Sequence, residues 1–345
     1  MCVRDGWPYL YEAVQSVLGQ EHPVDRLVIV DDASTDEGVG YLASLSDPRV
    51  VVLRSEGHRG LAAGLRLGAQ ACEGDLIARL DADDVAEPWR IGVQVAYMES
   101  HPEAVMSCTS ADLIEETGAP IGKYVMSEHP VVLAWQLLFR NPIVHSTAMF
   151  RAGAFREAGG YRPEMEPAED YDLWSRLGRS GGTLGAIARS CVRLRKHGGQ
   201  ISERRQGQML DAAASVAYSN IETLTGRAPE PQLVRILVGP RSGPPERARD
   251  AVDLLADVTR AHLARHPAGR AARREISARA IEMTREIVES NALDRRASRR
   301  AVRSCLSGAG YLGLSAGRSA LTALRLIAPS AVSDVRRRSR QRGAS

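Results

Sequence analysis

The amino-acid sequence predicts an α/β fold: a largely parallel sheet with helices on both faces, followed by a mostly α-helical carboxy-terminal region. Three observations support this fold class. Short β-rich runs alternate with helical patterns through the first half of the chain. Two of these runs end directly in clusters of aspartate, and beyond about residue 205 the pattern becomes helical. Strands that alternate with helices favour a parallel sheet, because each connection has to cross back over the sheet.

The predicted helices and strands follow one another closely in the first half of the chain. Apolar residues at helical spacing predict the helices, and short runs rich in Val, Ile and Leu predict the strands. In chain order they are a helix over 10–18, strands over 27–30 and 50–53, a helix over 60–73, a strand over 76–80, a helix over 88–99 and a strand over 104–108. The middle segment is less regular, with a helix near 130–140, a strand near 146–150 and a helix over 168–179.

Composition limits the class of protein. The 345 residues are 44% hydrophobic and 25% charged, which is typical of globular domains. The five cysteines form no CxxC pair, so neither a disulfide framework nor a zinc site is predicted. Because no signal peptide and no apolar run of about 18 residues is present, the sequence predicts no membrane span and a cytoplasmic location.

Charge is distributed unevenly along the chain. Residues 260–345 contain 19 Arg and 6 acidic residues, a net charge of +13, while the remainder carries −10. One interpretation is a basic surface for anionic lipid at the inner face of the membrane, or for an acidic partner. The alternative is a helical cap with a solvated tail. A nucleic-acid partner is not predicted, because neither a matching motif nor interleaved aromatic residues occur.

The first aspartate cluster, Asp31-Asp32, follows the predicted strand 27–30. In open α/β sheets, ligands bind in the crevice beyond the carboxyl ends of the strands. A carboxylate at that place can accept hydrogen bonds from a base N–H or from ribose hydroxyls. The alternative is an Asx turn or a helix N-cap, since Asp and Ser favour both.

The second cluster, Asp81, Asp83 and Asp84, follows the predicted strand 76–80. Residues two apart in an extended segment point to the same side, so Asp81 and Asp83 could face one cation. Oxygen ligands suit Mg²⁺ or Mn²⁺, and a divalent ion would compensate the repulsion between the carboxylates. The alternative is a solvated acidic turn before the next helix.

The third cluster, Glu169-Asp170, opens the predicted helix 168–179. Asp170 shares a helical face with Leu173 and Trp174, at spacings of three and four residues. Apolar neighbours raise the pKa of a carboxyl group towards a value that suits a general base. The alternative is favourable interaction of acidic residues with the helix macrodipole.

These clusters occur in one order with several shorter motifs, and the ordered set resembles the family 2 glycosyltransferases of the GT-A fold. Each motif alone is weak, whereas the set is specific and covers about residues 3–205. The matching stretches are residues 12–20 (EAVQSVLGQ), 30–36 (VDDASTD), 60–63 (GLAA), 73–84 (EGDLIARLDADD), 145–147 (HST) with Arg151, 159–161 (GGY), 169–174 (EDYDLW) and 195–202 (RKHGGQIS).

The resemblance implies a Rossmann-like nucleotide-binding sheet and a role for each candidate residue. The implied nucleotide-binding residues are Val3, Asp5, Asp31, Asp32, Arg59 and Asp81. The implied metal ligands, for Mg²⁺ or Mn²⁺, are Asp83, Asp81 and His197, with Asp84 in support. The implied catalytic residues are Asp170, as the base that deprotonates the acceptor, and Glu169, while His145 and Trp174 are assigned to the acceptor region. A structural role is the alternative for His145, His197 and Trp174.

The resemblance implies a GT-A catalytic domain over residues 1–205. Beyond it, composition alone predicts a helix and a Pro/Gly-rich linker over 206–246, with the Pro- and Gly-rich part at 227–246, then a helical Arg-rich region over 247–330 and a basic, disordered tail over 331–345. Relatives open with an apolar strand that leads into a segment like Val3–Asp5. Because this chain reaches that segment at its third residue, most of the first strand is expected to be missing.

The function that follows from the resemblance is an inverting, metal-assisted glycosyltransferase. The donor would be a nucleotide-diphosphate sugar, with UDP as the expected carrier and GDP or dTDP as alternatives. The acceptor would be a glycan, a lipid-linked molecule or a small molecule, in cell-envelope or exopolysaccharide synthesis. Two other classes stay open: a non-catalytic protein that binds sugar nucleotide or a partner, and a nucleotidyltransferase.

Overall fold

The computed structural model describes residues 1–198, 206–239 and 247–290. The contacts divide the chain into two compact units, the first over Met1–Val216 and the second beginning at Ala217. The end of the 195–202 motif and the basic tail lie outside the described residues, so the predictions made for them stay predictions.

The first sheet of unit 1 is parallel and has three strands. Its order is β1 (Cys2–Val3), β2 (Leu27–Asp31) and β3 (Val50–Arg54), with Val3 paired to Asp31 and Asp31 to Arg54. Every residue of β2 is buried, as expected for a central strand covered on both faces. The first strand is therefore present but only two residues long, and Met1 extends its pairing through bonds to Val28 and Val30.

Helices cover this sheet because their small and apolar residues face it. They are α1 (Tyr9–Leu18), α2 (Gly38–Ser44) and α3 (Leu61–Gln70). In α1 the residues Leu10, Ala13 and Val14 recur at helical spacing and are fully buried. The helix α3 approaches the sheet so closely that a methyl group added at Gly64 would meet the Cys2 sulfur.

The second sheet is mixed, which differs from the largely parallel arrangement expected from the sequence. Its strands are β4 (Leu76–Ala78), β5 (Val85–Ala86), β6 (Ala104–Glu115), β7 (Pro120–Tyr124), β8 (Met149–Arg151) and β9 (Thr183–Lys196), in the order β4-β8-β6-β9-β5 with β7 paired to β6. Only β6 and β9 run parallel. A four-residue turn joins β6 to β7, and so short a connection requires an antiparallel pair.

Four further helices and two short 3₁₀ segments complete the described part of unit 1 before residue 198. They are α4 (Arg90–Ser100), α5 (Pro130–Gln136), α6 (Ala152–Glu157) and α7 (Glu169–Arg179), with 3₁₀ segments at His145–Thr147 and Pro163–Met165. The main core joins residues of α3 and α7 to the strands and includes Phe150, Phe155, Tyr161 and Trp174. This core anchors the first turn of α7, which carries Glu169 and Asp170.

The described helices of the second unit and of the segment that leads to it are long or strongly amphipathic. They are α8 (Gln206–Thr225), α9 (Pro231–Val238), α10 (Ala248–Arg265) and α11 (Arg270–Ser290). The helix α9 lies within the segment 227–246 that composition predicts as a linker. None of the helices in the described ranges combines the length and the apolar character that crossing a bilayer requires.

The close approach of α3 to the sheet gives a stability prediction. We expect Gly64→Ala to lower the free energy of unfolding by about 1–3 kcal/mol, because the new methyl group overlaps the buried Cys2 side chain. Gly40→Ala is the matched control: Gly40 is exposed in α2 with open space around its Cα, and alanine there should be neutral or stabilising by about 0.5–1 kcal/mol. Urea unfolding of both variants measures the difference. Equal effects of the two substitutions would contradict the proposed packing.

Candidate functional site

The loop after β2 is built around two buried carboxylates. Asp31 accepts a hydrogen bond from the Ser34 N–H at 2.9 Å and lies 3.5 Å from the Arg54 guanidinium. Asp32 accepts bonds from the backbone N–H groups of Arg59 and Gly60, at 2.7 and 3.0 Å. Both aspartates therefore shape their loops, and Asp32 links the end of β2 to the start of α3.

His58 also contacts Asp32, with Nδ1 2.7 Å from Oδ2. The Asp32 side chain is only 3% exposed, whereas His58 and the side chain of Arg59 are exposed. A nucleotide base that approached Asp32 would meet a carboxylate whose two oxygens already accept bonds from the chain. The exposed groups at this position are those of residues 58 and 59.

Residues at the start of the chain line the same loop. The carbonyl of Val3 accepts a bond from Asp32 N–H at 2.8 Å. Asp5 has a φ of 51°, and its Oδ1 accepts bonds from the N–H and the hydroxyl of Thr35 at 2.7 and 3.2 Å. The backbone bond from Thr35 is the main reason that the pKa of Asp5 is lowered. The structure thus brings Val3, Asp5, Asp31 and Asp32 together at the carboxyl ends of β1 and β2.

The second aspartate cluster lies between β4 and β5. Carboxylate oxygens of Asp81, Asp83 and Asp84 come within 4.8 Å of one another. Asp84 is nearly fully buried; it accepts a bond from the Arg195 N–H at 2.9 Å and also contacts the Ser146 hydroxyl. Asp81 and Asp83 keep side-chain exposures of 30% and 28%, so these two can still reach a ligand.

The three carboxyl groups have different pKa shifts. Burial raises the pKa of Asp84 well above its ordinary value, and the charges of Asp81 and Asp83 add to this rise. Burial followed by the charge of Asp81 also raises the pKa of Asp83. Burial opposes ionisation of Asp81 too, but the adjacent Arg79 guanidinium outweighs it and the pKa is lowered. Asp84 therefore supports the two carboxylates in front of it from a buried position in which its own charged form is disfavoured.

These oxygens fit a hard divalent cation. Two partly exposed carboxylates, with room for substrate oxygens, form the type of ligand set that Mg²⁺ and Mn²⁺ prefer. A cation would also relieve the repulsion that raises the pKa of Asp83. His197 lies beside this pair, with Nε2 2.9 Å from Asp83 Oδ2 and its ring 5.1 Å from the ring of Tyr9.

The third cluster lies in the first turn of α7. Asp170 accepts a bond from Asn141 Nδ2 at 2.7 Å and from the Tyr171 N–H at 2.6 Å. Burial raises its pKa to about 6. Glu169 is buried, its Oε2 has no hydrogen-bond partner among the described residues, and burial with the nearby charge of Asp170 raises its pKa to about 8. Near neutral pH, Asp170 is therefore the ionised member of the pair.

The two residues expected in the acceptor region differ in accessibility. His145 is part-buried, with Nε2 2.8 Å from the Tyr161 hydroxyl; burial, and then the charge of Arg79, lowers its pKa well below the ordinary value. Trp174 has no exposed surface and packs in the main core. This burial favours the structural alternative for Trp174, because a ring without exposed surface cannot stack on a sugar.

Contacts across the fold join the three clusters. Ser146 bonds to Asp81 Oδ2 at 3.0 Å and also contacts Asp84. Glu166, three residues before α7 begins, accepts a bond from the Ala62 N–H at the start of α3, at 3.2 Å. The charge of Arg79 acts on Asp81 and on Asp170 alike. The loop held by Asp32, the aspartate pair and the carboxylates of α7 therefore lie near one another in the fold.

Comparisons with known proteins show which proteins this chain resembles. Residues 1–157 match the model of the family described as Glycosyl transferase family 2. This match covers 157 of the 345 residues, so the amino-terminal part of the chain is similar to this family. Among its relatives, an uncharacterized glycosyltransferase of Haemophilus influenzae is 28% identical over 232 residues, which are 64% of this chain and 72% of that protein. The amylovoran biosynthesis glycosyltransferase AmsE of Erwinia amylovora is 27% identical, over 57% of this chain and 74% of that protein.

A solved structure shows the same fold. The structure of S. aureus TarS 1–349 in complex with UDP-GlcNAc superimposes with a TM-score of 0.56 at 13% sequence identity, covering 89% of this chain and 90% of that one. The GT-A-type fold with a helical carboxy-terminal region, as expected from the sequence, is thus confirmed.

The structure adds residues that sequence reasoning did not select. They are His58, Arg79, Asn141, Ser146, Tyr161 and Glu166, all of which contact or electrostatically influence a predicted site residue. Most are single polar residues in segments without periodicity. The one available signal was position, because Arg79, Ser146 and Tyr161 lie inside stretches that carry the family resemblance.

The raised pKa of Glu169 predicts a pH-dependent stability. The unfolded chain releases this proton near the ordinary glutamate pKa, whereas the folded chain retains it up to about pH 8. The folded state therefore loses stability relative to the unfolded state as pH rises through this window. We expect Glu169→Gln to remove this loss. The free energy of unfolding of the variant, relative to that of the parent, should therefore increase between pH 5 and pH 8 by more than about 1 kcal/mol. Urea unfolding at both pH values tests this, and a pH-independent difference would contradict it.

Proposed function

We propose that the protein transfers a sugar from a nucleotide-diphosphate sugar, with UDP as the expected carrier, to an acceptor hydroxyl with inversion of configuration. One observation carries the proposal: two accessible carboxylates, Asp81 and Asp83, share a site with Asp170, a carboxylate of raised pKa. The first two suit a metal-bound diphosphate, and the third suits proton abstraction. The TarS structures with UDP-GlcNAc and with UDP support a nucleotide-sugar donor by fold.

The nucleotide would lie along the carboxyl ends of β1 and β2. The loops held by Asp5, Asp31 and Asp32 form one side of this region, and the exposed Arg59 lies at its edge. The arrangement of Asp32 suggests that it orients residues 58–60 towards the base. The ribose would then lie near Asp81, on the way to the diphosphate.

A divalent cation, Mg²⁺ or Mn²⁺, would be held by Asp83 and Asp81 with His197 close by. When bound, it would stabilise the negative charge of the departing diphosphate. Arg79 keeps Asp81 ionised, and Asp84 with Ser146 fixes the direction of the pair. The chain thereby holds the carboxylates in position before substrate arrives.

Asp170 would remove the proton from the acceptor hydroxyl as that oxygen attacks the anomeric carbon. Its pKa of about 6 leaves it ionised near neutral pH and still able to take a proton. Glu169, which stays protonated there, adds no second negative charge beside the base. A single base on the face opposite to the leaving group is sufficient for inversion.

The wider setting belongs to the same proposal. Residues 1–205 would be the catalytic domain, and the acceptor would be a glycan, a lipid-linked molecule or a small molecule. Similarity to an amylovoran biosynthesis enzyme supports exopolysaccharide or cell-envelope synthesis. The Arg-rich carboxy-terminal region is proposed to contact anionic lipid at the inner face of the membrane.

Donor turnover provides the main test of the base. We expect the full chain to release nucleoside diphosphate from one member of a panel of nucleotide sugars, and Asp170→Asn to lower kcat by about 10²–10⁴-fold with donor affinity unchanged. Asp25→Asn, the same chemical change at an exposed position outside the site, is the matched control. Wild-type transfer by Asp170→Asn would refute the base. A chain that binds donor without turning it over would indicate the binding-only alternative.

Metal removal tests the aspartate pair separately. We expect EDTA to abolish turnover and added Mn²⁺ to restore it in the parent chain. Asp83→Asn should lose most of this recovery, because it removes a carboxylate ligand and leaves the fold's other contacts in place. Donor binding measured by calorimetry with and without Mn²⁺ provides the second reading. Full activity in EDTA would show that Asp81 and Asp83 do not act by holding a metal ion.

A further inference from the structure

Asp170 is held by two donors from different parts of the chain. Its Oδ1 accepts the N–H of Tyr171, the next residue of α7. Its Oδ2 accepts the Nδ2 of Asn141, which lies 29 residues earlier in the segment between α5 and the 3₁₀ segment His145–Thr147. The first bond only ties the carboxylate to its own helix. The second sets its position relative to a separate part of the site.

Neighbouring contacts fix the orientation of the Asn141 side chain. Its Oδ1 accepts a bond from the Ile143 N–H at 3.0 Å, so the amide nitrogen is the end that faces Asp170. The next carbonyl, of Pro142, accepts the Tyr124 hydroxyl at 2.8 Å, which ties the segment to β7. A side-chain amide with both ends engaged cannot rotate without losing a hydrogen bond.

We propose that Asn141 is a positioning residue, whose side-chain N–H aims the Asp170 carboxylate at the acceptor hydroxyl and favours its ionised form. This inference rests on the proposed function of Asp170 as the base. The remaining lone pairs of the carboxylate, beyond those used by Asn141 and Tyr171, are the ones available to an acceptor.

The hydrogen bond from Asn141 is one of several influences on the pKa of Asp170, and the others come from burial and from neighbouring charged and titratable groups. Burial raises its pKa first; the bonds from Tyr171 and Asn141 and the charge of Arg79 lower it, and Asp81 raises it. Glu169 and Tyr161 are the remaining titratable neighbours. A hydrogen bond to the ionised form lowers the pKa of an acid, so loss of the Asn141 N–H would raise the pKa of Asp170.

A purely structural role for Asn141 predicts a different result. In that case its contribution is the turn closed by Oδ1 and the Ile143 N–H. Asn141→Asp and Asn141→Ser both keep a side-chain oxygen for that turn, and both remove the N–H donor. A structural role therefore predicts little change in Asn141→Ser, whereas a positioning role predicts a clear one. Asn141→Asp adds a charge beside Asp170 and shifts its pKa under either role, so it shows only how strongly position 141 acts on Asp170.

The test is the pH profile of kcat for sugar transfer by the full chain and its variants. We expect Asn141→Ser to move the acid limb upward by about one pH unit, which is roughly a fivefold loss at pH 6, with the donor KM unchanged. Asn141→Asp should move it further, because a second carboxylate would face Asp170. Thermal unfolding of each variant establishes that it is folded, and Asn141→Ser is the variant that separates the two roles.

Pairing each substitution with Asp170→Asn separates the inference from the function on which it rests. Once the base is absent, the Asn141 substitutions should cost less than about twofold in residual kcat. Profiles that superimpose on the parent, or equal losses with and without the base, would overturn the role of Asn141. Wild-type transfer by Asp170→Asn alone would instead overturn the base assignment itself.

Discussion

The constraint on which this site depends is the electrostatic cost of gathering carboxylates in a part-buried space. The charge of Asp81 acts on Asp83, Asp84 and Asp170, and the charge of Asp170 acts on Glu169. Burial disfavours every charge, and each charge disfavours its neighbours. The environments of these carboxyl groups differ. Burial and nearby charges favour the neutral forms of Asp84 and Glu169, while the buried guanidinium of Arg79 favours the ionised forms of Asp81 and Asp170. Different roles for chemically similar residues follow from these environments.

The same constraint explains why so many long-range contacts converge on the site. Asp84 is held by the Arg195 backbone, 111 residues away in the chain, and Ser146 lies between Asp84 and Asp81. The Arg195 guanidinium in turn donates to the Asp83 carbonyl at 3.0 Å. Such bonds satisfy buried polar groups and hold the accessible carboxylates rigidly. A rigid arrangement of this kind is what a preorganised electrostatic site requires.

Much of the fold was predictable where a local pattern carried it. The helices α1, α3, α4 and α7 and the strands β2 and β3 follow directly from apolar periodicity and short β-rich runs. The fourteen-residue strand β9 was not predicted, because polar residues at Arg189, Ser190 and Arg193 interrupt its apolar pattern. Its existence depends on pairing with β6 and β5, which is a property of the assembled sheet. The mixed strand order of the second sheet also depends on pairing between strands that are far apart in the chain.

The sequence by itself determined the chemistry at the strand ends. It contains the three acidic clusters, their order and the family that they indicate, because each is a local motif whose residues can be identified directly in the sequence. Tertiary structure alone decided which carboxylates are accessible, which are neutral and what orients them. Asp84 supports the accessible aspartates and Trp174 lies in the core. Arg79, Asn141 and Ser146 contact residues of the candidate site. These outcomes depend on burial and on contacts between residues far apart in the chain, and no spacing within a motif encodes either.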